Sequence, residues 1–227
     1  MTVRNIRFRQ SVIRTVLGLA AVSGLAMQPV ESAFAKVVEV SMTAVETKLV
    51  IDGEGHTYDA WTFNGQFPGP VIRVQEGDEV VFSLTNPETN GRPHSMDFHA
   101  AETNFLEHYK EVRPGESLQY RFKAKWPGIF AYHCGASPMI QHIARGMMGA
   151  IIVDPKDPKA LPKADREYVL VQSELFKDPD DVDGMFDRKY QHVVFNGSVF
   201  RYDPVHSKAG GDFLDAKPGE RVRFYFV

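Results

Sequence analysis

Cysteine is almost absent: the 227-residue chain holds one, Cys134, so no intramolecular disulfide can staple it. Excess positive charge is missing as well, since the formal net charge is −3, and the basic footprint of a nucleic-acid binder is excluded. No apolar run reaches the roughly 20 residues that span a bilayer. Eighteen Gly and 14 Pro without a repeat exclude a collagen-like chain, and 43% apolar content excludes disorder. The composition predicts a soluble globular protein.

Arg4, Arg7, Arg9 and Arg14 precede an apolar run from Val16 to Met27, and Ala33-Phe34-Ala35 follows with the small-x-small pattern that signal peptidase reads. This order predicts a secretory signal over 1–35, cleaved after Ala35, and an exported, periplasmic protein with no membrane span after cleavage. No Arg-Arg pair points to a twin-arginine route. Cleavage removes four Arg and one Glu and moves the formal charge from −3 to −6. In an oxidising compartment Cys134 is left with three roles: an intermolecular disulfide, a free thiol or a metal thiolate.

Short runs such as Val80-Val81-Phe82-Ser83-Leu84 and Leu118-Gln119-Tyr120-Arg121-Phe122 alternate with turn signals such as Gln75-Glu76-Gly77-Asp78, the spacing of a β-sandwich or barrel. No long helix is predicted after residue 35. The Pro/Lys/Asp-rich stretch within 156–165 reads as a linker, after which Tyr168-Val169-Leu170-Val171 opens a new set of strands. Phe63-Asn64-Gly65 leads to Gly77-Asp78-Glu79, and Phe195-Asn196-Gly197 leads to Gly219-Glu220-Arg221, with ten more residues between the landmarks in the second copy. The organisation expected is a first β domain over 36–155, the linker, and the start of a related domain over 166–227. By analogy with the first copy, roughly 70 residues of the second lie beyond Val227.

Metal-ligand residue types gather in two segments: His94-Ser95-Met96-Asp97-Phe98-His99, and His133-Cys134 followed by His142 and Met147. Two imidazoles, one thiolate and a weak thioether suit a blue-copper electron-transfer site, because soft sulfur stabilises Cu(I) while imidazole serves both oxidation states. His94, Cys134, His142 and Met147 are the candidate set, with Met148 as a rival for the thioether and Met139 nearby. Neighbouring strand residues face opposite ways, so His133 and Cys134 are expected in different sites joined by one peptide bond. His99 and His133 then form an incomplete second metal set that needs a third ligand from elsewhere. Asp97 has two readings: a proton relay to bound substrate, or a hydrogen-bonding partner that orients a ligand histidine.

WTFNGQFPGPVIRVQEGD, HSMDFHAA and YHCGASPMIQHIARGMMGAIIV resemble the first domain of copper-containing nitrite reductases, in the multicopper oxidase superfamily. The resemblance runs through residues 37–155 and continues in FNG and KPGERVRFYFV. It implies an all-β fold of cupredoxin Greek-key β-sandwiches, one complete and a second begun, and a homotrimer with catalytic copper at subunit interfaces. It implies type 1 copper on His94, Cys134, His142 and Met147, type 2 copper on His99 and His133, and Asp97 as the catalytic aspartate. A small cytochrome c or cupredoxin would supply electrons, and nitrite would be reduced to nitric oxide. The family's third type 2 histidine and its catalytic histidine match no position up to Val227.

The sequence departs from the family pattern over Glu102–Lys110, where many members have a Gly-rich loop bordering the substrate region. His108 in that segment is expected to be a solvated loop residue, and His56, His192 and His206 match no ligand motif. Two rival readings stand beside nitrite reduction. A laccase-like oxidase needs repeated H-x-H pairs and an H-C-H run, whereas Gly135 follows Cys134 here. A one-copper electron carrier would keep a single copper per chain.

Overall fold

The computed structural model describes residues 35–102, 104, 108–205 and 213–227. The expected signal segment up to residue 34, parts of the Glu102–Lys110 segment and His206 lie outside the described residues. No helix among the described residues is long and apolar enough to cross a membrane.

Two four-stranded sheets carry the first part of the chain. One has the order β2-β1-β4-β6, with β1 at Val37–Val50, β2 at Thr57–Phe63, β4 at Glu79–Thr85 and β6 at Ser117–Lys123. The other has the order β3-β8-β7-β5, with β3 at Ile72–Gln75, β5 at Asp97–Phe98, β7 at Gly128–His133 and β8 at Met148–Asp154. β1 runs parallel to β4 and β3 parallel to β8, so each sheet is closed by chain arriving from a distance. Alternation explains which face is covered. Val80, Phe82 and Leu84 on β4 point inward and are fully buried, and they share a core with Tyr120 and Phe122 of β6 and with Ile151 and Val153 of β8. Each such large apolar side chain contributes about 1.5–3 kcal/mol. Two sheets facing one apolar core are the cupredoxin β-sandwich.

The later part of the chain forms two short ladders: β9 (Arg166–Leu170) with β12 (Val222–Phe226), and β10 (Gln172–Phe176) with β11 (Tyr190–Phe195). The repeat seen in the sequence has a geometric counterpart. Asn64 and Gly65 take φ of 57° and 71°, Asn196 and Gly197 take 52° and 75°, and each pair closes a tight turn between bridged residues. The Asn64 side chain accepts from Thr43 N–H at 2.7 Å, as that of Asn196 accepts from Val171 N–H at 2.9 Å. The parallel pairing of β9 with β12 repeats that of β1 with β4. A second core of Tyr58, Ala60, Phe67, Leu175 and Val194 packs the two parts together.

Two short helices complete the description, α1 at Met139–Ala144 and α2 at Val182–Phe186. α1 fills the connection from β7 to β8, and that connection, with the segment leading into β5, builds the site.

Candidate metal centres

β7 ends at His133, and the chain turns at Cys134 into the segment that leads to α1. α1 buries the face bearing Gln141, His142 and Ala144. The chain then doubles back, with Met147 N–H donating to the His142 carbonyl at 3.0 Å and Cys134 N–H to the Met147 carbonyl at 2.9 Å. One closed loop thus holds Cys134, His142 and Met147 together. His94 arrives on the segment that leads into β5, fixed by two backbone bonds with Val112 at 3.0 and 2.7 Å.

His94, Cys134 and His142 are all buried, and their donor atoms lie within 4.8 Å of one another. His142 Nδ1 is 3.3 Å from His94 Nδ1 and 3.3 Å from Cys134 Sγ. Met147 is fully buried in the same core as Cys134, whereas Met148 is partly buried, pairs with His133 across the β7/β8 ladder and packs against the second core. Met139 is exposed.

The surroundings suit a soft cation. Ser95 N–H donates to Cys134 Sγ at 3.2 Å, and Ser95 Oγ accepts from Gly135 N–H at 2.8 Å, which locks the cysteine turn onto the His94 segment. Trp61 lies against both imidazoles, at 4.6 Å from His142 and 5.8 Å from His94, and the Arg145 guanidinium lies over the indole at 4.6 Å. Glu46, itself held by the Gly91 and Arg92 N–H groups, lies 3.3 Å from His94 Nε2 and fixes the ring with Nδ1 turned inward. Burial pushes the Cys134 thiol up to about 11 and His142 down to about 3, and it lowers His94 too. Both rings are therefore neutral at pH 7 with lone pairs to offer, and the buried sulfur becomes a thiolate when a cation compensates its charge. Among soft cations this N₂S set fits copper.

A second cluster lies across the strand. β5 pairs with β7 so that Asp97 stands opposite His133. His99 follows β5 directly, its N–H bonded to the Ala131 carbonyl at 3.0 Å. His99 Nε2 and His133 Nε2 converge to 3.0 Å, and Asp97 Oδ2 lies 3.5 and 3.8 Å from them. His133 Nδ1 faces the Cys134 carbonyl at 3.0 Å, which aims Nε2 at His99. The His99 side chain is 52% exposed against 12% for His133, so this cluster opens at the surface while the first is sealed.

Among the described residues these are the two clusters with metal-ligand geometry, and they bring together six of the seven predicted site residues, with Met147 tied to the first through the backbone. The expectation for His108 is corrected. Its ring packs on Tyr120 at 4.9 Å and its Nδ1 is buried without a hydrogen-bond partner among the described residues, because the imidazole lies against β6 rather than in solvent. His56 is a surface residue paired with Asp52. Sequence reasoning missed Glu46, Trp61, Ser95 and Tyr109. Ser95 lies inside the HSMDFH motif and Trp61 opens the WTFNGQFPGP motif, so both carried a signal, whereas Glu46 lies in no motif.

The family described as multicopper oxidase matches residues 44–158. The copper-containing nitrite reductase of Neisseria gonorrhoeae is 38% identical over 204 residues, covering 83% of this chain and 48% of that protein. That of Pseudomonas chlororaphis is 39% identical over 215 residues, covering 83% and 57%. The solved copper nitrite reductase from Nitrosomonas europaea is 57% identical, covers 84% of this chain and 67% of its own, and superposes with a TM-score of 0.82. The chain spans about half the length of the curated relatives it matches. With its cupredoxin sandwich and its half-family match, the chain belongs to the multicopper oxidase family and, within it, to the copper-containing nitrite reductases.

Proposed function

We propose that this chain is the type 1 copper-bearing part of a periplasmic nitrite reductase that forms nitric oxide. The observation that carries the reading is the placement of two donor sets, one sealed and sulfur-containing, one open with two imidazoles beside a carboxylate, on the adjacent residues Cys134 and His133. His94, Cys134, His142 and Met147 would hold type 1 copper, and His99 and His133 two positions of type 2 copper. Bound there, type 1 copper supplies one-electron transfer and type 2 copper the electrophilic centre for nitrite.

The chain's own groups have distinct tasks. The Cys134–His133 peptide joins the two donor sets by covalent bonds alone. Reduction of nitrite to nitric oxide and water consumes one electron and two protons, and Asp97, with Oδ2 3.5 and 3.8 Å from the two imidazoles, would deliver one of the protons. The exposure of His99 leaves room for a ligand from another subunit. That suits a homotrimer with type 2 copper at each interface, fed by a small cytochrome c or cupredoxin. In this reading residues 36–155 are the first cupredoxin domain, 156–165 the linker and 166–227 part of a second domain that would supply the remaining ligand.

The one-copper carrier is the competing reading, and the convergence of His99 with His133 argues against it. Nitric oxide production from nitrite by the intact copper-loaded protein tests the proposal. His99→Ala is expected to abolish it while the thiolate absorption stays; equal activity in both proteins would sink the type 2 assignment.

A further inference from the structure

Tyr109 belongs to the Glu102–Lys110 segment, where the sequence leaves its family's pattern. Its hydroxyl donates to Asp97 Oδ2 at 3.0 Å, the carboxylate oxygen that faces His99 and His133. Its ring lies so close over Gly135 that a Cβ there would come within 2.1 Å of Cε1, so a glycine after Cys134 is what lets the phenol in. The residues on either side are anchored. The His108 ring packs on Tyr120 at 4.9 Å, and Val112 is paired by backbone bonds with His94. Tyr109 thus touches the carboxylate of the open cluster and the turn that carries the thiol of the sealed one.

We propose that Tyr109 is a positioning residue that holds Asp97 aimed at His99 and His133 and ties that aim to the Cys134–Gly135 turn. An aspartate near the surface, 29% exposed here, samples several rotamers, and a proton donor is effective only in the one that points at the reacting atom. A single hydroxyl on Oδ2 selects that rotamer. Because the phenol rests on Gly135, a displacement of the cysteine turn displaces the hydroxyl and with it the carboxylate. This role rests on the nitrite reductase reading for its consequence in turnover, and on geometry alone for its effect on Asp97.

Tyr109→Phe in the intact copper-loaded protein separates the two. The phenyl ring still fills the space on Gly135, so copper content and thiolate absorption are expected to match the parent. In the crystal structure of the variant Asp97 is expected to turn away from the two histidines. kcat and kcat/KM for nitrite are expected to fall together by roughly tenfold, a part of the hundred- to ten-thousand-fold that positioned proton transfer supplies. Gly135→Ala, which keeps the hydroxyl but pushes the ring aside, is expected to turn Asp97 in the same way. An unchanged Asp97 rotamer in Tyr109→Phe overturns the positioning role, and an unchanged rotamer in Gly135→Ala overturns the tie to the cysteine turn. If the parent protein reduces no nitrite, the functional reading fails, and the Asp97 rotamer still decides the positioning role.

Discussion

Met147 and Met148 carry the same thioether one residue apart, and the strand sends them to different cores. Met147 is fully buried with Cys134, while Met148 packs against the second core. The axial ligand tunes a cysteinate copper's potential and spectrum. Met147→Leu is therefore expected to shift the reduction potential and the thiolate absorption, and Met148→Leu to leave both at the parent values, as spectroelectrochemistry would read. His94, Cys134 and His142 are legible in the sequence because ligand chemistry restricts residue type and one loop fixes two of the three by spacing. The contacts of Trp61, Glu46 and Tyr109 with the site are not legible, although Trp61 opens one of the quoted motifs. Glu46 and Trp61 reach the site across tens of residues from the paired strands β1 and β2, Tyr109 reaches Asp97 from a loop 12 residues on, and an aromatic or a glutamate in a strand or loop has many ordinary uses.

At the scale of elements, the strands follow from alternation and turn residues, and β4 and β6 fall where those signals place them. The helices α1 and α2 do not, since six and five residues are too few for a 3.6-residue period to show. The two Asn-Gly turns share a backbone and differ in what surrounds them. A Cβ at Gly65 would meet nothing within 4 Å, whereas one at Gly197 would lie 2.2 Å from the Phe67 carbonyl oxygen. Gly65→Ala then costs the left-handed conformation alone, about 1 kcal/mol. Gly197→Ala adds a backbone clash, for about 3 kcal/mol in all. Denaturant unfolding of the two variants checks the difference, and equal losses would contradict the close packing of Gly197 on Phe67.

Across the whole molecule, the sandwich does two things to one short sequence. It seals Cys134 against His94 and His142, and it leaves His133, the residue before, at an open edge with His99 and Asp97. Sequence alternation anticipates the split, but burial gives the two sides their different chemistry: neutral rings and a protected sulfur on one, an exposed His99 beside a mostly covered His133 on the other. The account therefore requires two coppers of different kinds that are lost independently. Electron paramagnetic resonance of the intact copper-loaded protein tests this most directly. The parent is expected to show a type 1 signal with small hyperfine splitting and a type 2 signal with large splitting, Cys134→Ala to lose only the first and His99→Ala only the second. A single copper signal in the parent, or the loss of both signals in either variant, would contradict it.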